Sequence, residues 1–242
     1  MFFNGSLVLS SISLSLVAIT LSPNQVMGST YQLTDLRFNI AQATNPATSS
    51  SNQQESDVGV DQWLLRERIV FLTGEITSEL AESIISQLIY LDKKAPGTDI
   101  YLYINSEGGG IAPGLAIYDT IQSLQSDVVT ASLGQSSSMA SILLASGTQG
   151  KRVALPNSRI MIHQPTSFVV GQASEIEIEA KEILYSKNLL NSLLAELTGQ
   201  SLRQIEIDTD RDFFMSAQEA KVYGIIDKVV NQLPSASHPL SK

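Results

Sequence analysis

Ser138 and His163 are the side chains of this sequence whose types and surroundings suit acyl transfer by a hydroxyl nucleophile and an imidazole base. The 242-residue chain holds two histidines. His238 lies in a polar tail among Ser and Pro, so His163, in a segment that reads as folded, is the candidate base. Upstream of it, the run Gly134-Gln-Ser-Ser-Ser138-Met139-Ala140 joins an apolar strand-like stretch to an apolar helix-like one. A strand ending at a helix N-terminus presents unpaired amides with positive partial charge, a ready place for a developing oxyanion. Ser138 and the amide of Met139 have that placement. Gly108-Gly109-Gly110, after a neighbouring strand, offers a second amide, because glycine lets backbone approach a substrate carbonyl closely. The third member of such a set is an acid that orients the imidazole, and Glu206-Ile-Asp208-Thr-Asp210-Arg-Asp212 offers four candidates among which spacing does not choose. Each feature alone has a plainer reading. A serine run before a helix caps it, a strand-end histidine is often structural, a glycine run makes a tight turn, and an acidic stretch is a solvated turn.

Composition narrows the chemistry. Cysteine is absent, which removes thiol nucleophiles, disulfides and cysteine-ligated metals, so Ser or Thr must carry any covalent step. Fifteen Lys and Arg against 24 Asp and Glu give a net charge of −9, and no basic run tracks a phosphate backbone, so nucleic acid is not an expected partner. Hydrophobic residues make up 43% of the chain, enough to bury the core of one compact domain with appendages.

The organisation follows from shifts along the chain. From Met1 to Thr34 there is no charged side chain, and Leu7 to Leu21 is an apolar, serine-interrupted run. It lacks a basic n-region and falls short of the roughly 20 apolar residues of a membrane span. Ala43 to Asp57 is rich in Ser, Asn and Gln and reads as a linker too polar to bury. Residues 1–57 are therefore expected to be a processed or disordered extension, 58–233 the folded domain and 234–242 a polar tail.

Within the domain, Glu67-Arg-Ile-Val-Phe-Leu-Thr-Gly74 reads as a strand, and Ser78 as the cap of a helix carrying Leu80, Ile84, Ile85, Leu88 and Leu91 at helical spacing. Asp99 to Asn105 is a second strand, followed past the glycines by a helix over Leu115 to Ile121. Asp127 to Leu133 is a third, leading into a helix over Met139 to Ala145. Arg152 to Leu155, then Ser158 to His163 after Pro156, read as further short strands, and Ala173 to Leu197 is the longest helix candidate. A last helix is expected over Ala217 to Tyr223. Alternating strands and helices at this spacing indicate right-handed βαβ crossovers and a mainly parallel sheet, an α/β fold.

Taken together, these segments resemble the proteolytic subunit of the Clp protease, a family of serine peptidases. The resemblance runs from about Leu64 to Val229. It is carried by Arg66 to Gly74, Asp99-Ile-Tyr-Leu-Tyr-Ile-Asn-Ser106, Ile117-Tyr-Asp-Thr120, the Gly134 to Met139 serine motif, Leu155-Pro-Asn-Ser-Arg-Ile-Met-Ile-His-Gln-Pro165, Thr198-Gly-Gln-Ser-Leu202 and Asp208-Thr-Asp-Arg-Asp-Phe213. It implies the crotonase-like superfold of stacked βαβ units with a protruding handle helix and strand. By position, the family's nucleophile falls on Ser138, its base on His163 and its acid on Asp212, with Gly109 and Met139 supplying the oxyanion amides. It further implies that the chain assembles with itself, alone or together with sister subunits, in two stacked seven-membered rings. Unfolded proteins would be fed in by an Hsp100-class AAA+ unfoldase, and ATP would be used by that partner, with no cofactor in this chain. Asp210 and Arg211 match positions that pair across the ring–ring interface. The implied compartment is the cytoplasm, or the plastid stroma if the extension is a targeting segment.

The sequence departs from the family in several places. Thr166-Ser-Phe-Val-Val170 replaces a glycine-rich strand expected to line the substrate groove and the inter-ring handle. Tyr101, Tyr103, Leu133 and Leu155 fit the family's ATPase-docking pocket, while Ser123 and Ala131 are smaller than usual there. Upstream of Trp63 the axial-loop sequence is not recognisable. Ala140 stands where a glycine is usual and adds one methyl at the helix start. Two other classes remain conceivable on the residues: an acyl-CoA hydratase or isomerase of the same superfold, which leaves Ser138, His163 and Asp212 unexplained, and a weakly active or structural subunit of a mixed ring.

Overall fold

The computed structural model describes residues 60–240; the expected extension over 1–57 and the domain start at Val58 lie outside the described residues. In chain order the elements are α1 (Val60–Arg66), β1 (Ile69–Thr73), α2 (Ser78–Lys94), β2 (Ile100–Ser106), α3 (Ile111–Ser123), β3 (Val128–Ser137) and α4 (Met139–Ala145). Then follow β4 (Arg152–Ala154), β5 (Arg159–Ile162), α5 (Ala173–Thr198), α6 (Leu202–Asp208), β6 (Phe213–Ser216), α7 (Ala217–Tyr223) and β7 (Lys228–Val229). Among the described residues no helix is long and apolar enough to cross a membrane.

One sheet runs β1-β2-β3-β4-β7, with β5 paired to β3 and β6 paired to β5. All pairs are parallel except β5–β6. The strand period of two separates the side chains of β2: Ile100, Leu102 and Ile104 join the main core under α2, α3, α4 and α5, while Tyr101 and Tyr103 join a second apolar cluster on the other face. That second cluster gathers Tyr103, Tyr101, Ala131, Val129, Val153 and Ile69, with Leu133, Leu233 and Leu240 packed against it. The Tyr103 hydroxyl donates to the carbonyl of Pro234 at 2.7 Å, and burial pushes that phenol up to about 12. The polar tail is thus tied to the sheet at least through Leu240.

Strand β3 is longer than its sequence suggests, and the reason matters for the site. The apolar run ends at Leu133 and Gly134 looks like a stop, yet the strand continues through Ser137 by changing partner. Thr130–Ser132 pair with β4, whereas Gln135–Ser137 pair with β5, and Gly134, at φ 74°, lies at the changeover. Helix α3 likewise starts at Ile111 rather than Leu115, because Pro113 in its first turn forfeits no intrahelical bond. The α2 cap is Thr77, whose hydroxyl accepts from the Leu80 amide at 3.2 Å; Ser78 is the first helical residue. The acidic stretch is partly helical: Ser201 caps α6, which runs through Asp208. The handle helix is present as α5, but residues 163–172 form no strand, having no neighbouring strand within one chain to pair with.

Arg152 ties α4 and α5, two of the helices that wall the site, to the sheet. Its guanidinium donates to the carbonyl of Leu197 near the C-terminus of α5 (2.8 Å), to Ala145 at the end of α4 (3.4 Å), and to both oxygens of Asp227. Burial alone would raise the Asp227 carboxyl, but the bonds from Arg152 and from the amides of Arg152 and Gly150 outweigh it and hold the group below the usual carboxylate range. A carboxyl depressed in the folded state stabilises it above the unfolded value, near about pH 4, and that stabilisation is lost as pH falls through the folded value. Asp227→Asn is expected to cost about 3–5 kcal/mol at neutral pH, by stranding a buried guanidinium. Its melting temperature should then fall less between pH 6 and pH 3 than that of the wild type, which thermal unfolding across that range measures.

Candidate active site

The pairing of β3, β5 and β6 brings the three candidate side chains together. Ser137 is opposite Met161 in the β3–β5 ladder, and Ile162 opposite Phe213 in the β5–β6 ladder. Ser138, His163 and Asp212 each stand one residue beyond a strand end, at the same edge of the sheet. His163 Nε2 lies 2.9 Å from Ser138 Oγ, and Nδ1 lies 3.0 Å from Asp212 Oδ1. With its proton on Nδ1, the ring donates to the carboxylate and accepts the serine proton at Nε2. Of the four acids, the fold selects Asp212. Asp208 instead accepts from Tyr223 and Gln204, and the backbone carbonyl of Asp210 accepts from the Gln164 side chain, while Glu206 is exposed.

Ser138 is held in a sharp turn between β3 and α4. Its backbone is at φ 55°, ψ −126°, a conformation that costs a non-glycine residue on the order of 1–3 kcal/mol. The surroundings enforce it: the Ser138 amide donates to the Met161 carbonyl at 2.8 Å, and the Ser138 carbonyl accepts from the Ser141 amide at 3.0 Å and the Ser141 hydroxyl at 2.6 Å. The side chain is thereby turned away from the strand towards His163. Ala140, in place of the usual glycine, is fully buried in the main core, so its extra methyl packs rather than protrudes.

The glycine run has a steric reason beyond turning the chain. Gly108 passes so close to the serine turn that a Cβ there would lie 2.7 Å from Ser138 Cβ and 2.8 Å from the Ser137 carbonyl. Gly109, at φ 149°, lies against Ile76: the Ile76 amide donates to Gly108 O at 2.8 Å and the Gly110 amide to Ile76 O at 2.9 Å. Successive amides of an extended chain point to opposite sides. The Gly109 amide therefore faces away from Ile76, on the side where Gly109 borders the same cavity as Ser138 and Met139. The Met139 amide opens α4, where the first amides have no intrahelical acceptor.

That cavity, of about 80 Å³, is walled by Ile111, Ile142, Ile162, Leu190 and Leu194, and His163, Pro165 and Thr166 border it. Sequence reasoning did not assign these walls a role, although Leu190 and Leu194 share a face of α5 by their spacing of four. Of the Thr166–Val170 segment, Thr166 borders this cavity, while Phe168 and Val170 are 91% and 82% exposed and the chain there borders Ile178 and Glu179 on α5. Tyr101, Tyr103, Leu133 and Ala131 gather on the opposite face of the sheet from the main core, and Ser123 is exposed at the end of α3.

Comparison with known proteins places the chain in a family. Residues 52–233 match the family model described as Clp protease. The chain is also 54% identical over 182 residues to the ATP-dependent Clp protease proteolytic subunit 1 of Gloeobacter violaceus, an alignment covering 73% of this chain and 92% of that protein.

Proposed function

The chain belongs to the Clp protease family and is a serine-type endopeptidase, and from that premise we propose that Ser138, His163 and Asp212 are its catalytic triad. The observation that carries the assignment is the unbroken chain of contacts from Ser138 Oγ through both ring nitrogens of His163 to Asp212. In the reaction, Ser138 Oγ attacks the peptide carbonyl while His163 Nε2 takes its proton. The amides of Met139 and Gly109 receive the oxyanion. His163 then returns the proton to the leaving amine, and Asp212 holds the ring in the required tautomer and stabilises the imidazolium. Water repeats the sequence on the acyl-enzyme.

The apolar cavity beside Ser138 receives the side chain that precedes the scissile bond. Medium-sized apolar residues such as Leu or Met match its walls, whereas a charged side chain would be desolvated without a partner. In a set of fluorogenic peptides differing only there, kcat/KM for Leu or Met is expected to exceed that for Asp or Lys by about 10- to 200-fold. A preference for charge would contradict the assignment of this cavity.

Family membership implies an oligomeric ring that works with a Clp ATPase. We take the finer arrangement to be two stacked seven-membered rings of this chain, with or without sister subunits, receiving unfolded chains from an Hsp100-class AAA+ unfoldase. Nucleotide is then consumed by that partner and not at Ser138. The ATPase would dock on the face of the sheet that carries Tyr101 and Tyr103, through the partly exposed Leu133 beside those buried rings. Hydrolysis of a short fluorogenic peptide by the purified protein, with the mass of the assembly recorded on the same sample, tests this reading. Turnover by a large ring supports it. An intact ring without turnover would reduce the chain to a structural subunit.

A further inference from the structure

The acid of the triad has little of its own to hold it. Asp212 has a side chain 59% exposed, it precedes the first residue of β6, and its only side-chain hydrogen bond among the described residues is to His163. An exposed carboxylate beyond the end of a ladder is free to turn to water unless the backbone carrying it is fixed.

Gln164, the residue after the base, does that fixing. Its amide donates to the carbonyl of Thr209 at 2.6 Å, joining the His163 segment to the loop that carries Asp212 beyond the last ladder pair. Its side-chain Nε2 donates to the carbonyl of Asp210 at 2.7 Å, two residues before Asp212. Thr209 is itself fully buried, with its hydroxyl 2.7 Å from the Ile205 carbonyl and 3.1 Å from Asn191 Oδ1. The other end of the Gln164 amide is also taken: Oε1 accepts from Lys187 Nζ of α5 at 2.9 Å, which leaves Nε2 aimed at Asp210. A side-chain amide engaged at both ends has one orientation.

We propose that Gln164 is the positioning residue of the triad, its side chain clamping the Thr209–Asp212 loop so that Asp212 stays on His163, with Lys187 setting the orientation of that clamp from α5. The inference rests on the triad assignment. Neither Gln164 nor Lys187 lines the substrate cavity, so loss of the clamp acts on kcat and not on KM. Because Gln164 acts through Asp212, its loss has no further effect once the carboxylate is gone.

Peptide hydrolysis by assembled Gln164→Ala, Asp212→Asn and the double variant tests both points, with Gln164→Glu as an isosteric second variant. Glu keeps an acceptor for Lys187 but cannot donate to the Asp210 carbonyl. Asp212→Asn alone is expected to lower kcat about 10⁴-fold; if it has no effect, the triad reading itself fails. Given that loss, Gln164→Ala and Gln164→Glu are each expected to lower kcat about 10- to 100-fold with KM within about twofold. In the Asp212→Asn background, Gln164→Ala should cost less than about threefold more. Lys187→Met should lower kcat in the same way to a smaller extent, and Lys187→Arg, which keeps a donor, should restore it. Wild-type kcat in both Gln164 variants, or a loss that multiplies in full on Asp212→Asn, would overturn the proposal.

Discussion

Ser138→Ala is expected to lower kcat for peptide cleavage by about 10⁶-fold while leaving fold and ring mass unchanged. The size follows from what is removed. Without the hydroxyl there is no acyl-enzyme, His163 has no proton to take from a positioned nucleophile, and only binding and the oxyanion amides remain to assist water. The sparing of the fold follows from the bonding at the turn. Among the described residues Ser138 Oγ hydrogen-bonds to His163 Nε2 alone, whereas the bonds that hold the turn, to Met161 and Ser141, are made by the Ser138 backbone. Alanine pays the same backbone strain as serine at φ 55°, so the stability change should be small. Single-turnover and steady-state hydrolysis by rings composed only of the variant measure the effect; cleavage near the wild-type rate would remove Ser138 from the mechanism.

Gly109→Ala is expected to lower kcat by about 10²- to 10³-fold, through loss of one oxyanion donor. The added Cβ would lie 2.5 Å from the Ile76 nitrogen and 2.6 Å from its oxygen, at a φ of 149° that an L side chain rarely adopts. Both atoms are backbone, so neither can yield as a side chain would, and the Gly109 amide must move. Gly97→Ala serves as the control. It imposes comparable backbone strain at φ 74°, but its Cβ meets nothing within 4 Å and the residue lies in the turn between α2 and β2. Gly97→Ala should therefore lose a little stability and no activity. Equal losses in the two variants would mean that the Gly109 effect is strain and not oxyanion stabilisation.

Much of the scaffold is written in local patterns. The helical spacing of Leu80, Ile84, Leu88 and Leu91 and the runs at Ile69–Thr73 and Ile100–Ser106 each report burial within one element, and there the expected and observed elements agree within a few residues. What the sequence hides is set by partners distant in the chain. Gln135–Ser137 are strand because β5 offers them a ladder, a fact not contained in a polar run of serines. Strand β6, with the exposed Phe213 and Phe214 and the antiparallel pairing that delivers Asp212, is short and lacks a clean alternation.

The site divides in the same way. His163 stood out by scarcity and Ser138 by its strand-to-helix setting, both properties of the local sequence. The acid could not be chosen on spacing, since Asp208 at the end of α6 and Asp210 and Asp212 in the loop that follows crowd one short stretch, and resemblance alone pointed to Asp212. The steric need for Gly108 and Gly109 arises from Ser138 and Ile76, which are remote in sequence. The role of Gln164 depends on three contacts with residues at least 23 positions away.

The assignment of Ser138 as nucleophile is tested most directly by covalent labelling. The assembled wild-type protein, His163→Ala and Ser138→Ala would each be treated with a fluorophosphonate, digested, and the modified residue located by mass spectrometry. The expected result is a single adduct on Ser138 in the wild type, strongly slowed in His163→Ala and absent from Ser138→Ala. Labelling of a different serine, or an unreactive Ser138 in an assembled wild-type ring, would contradict the account.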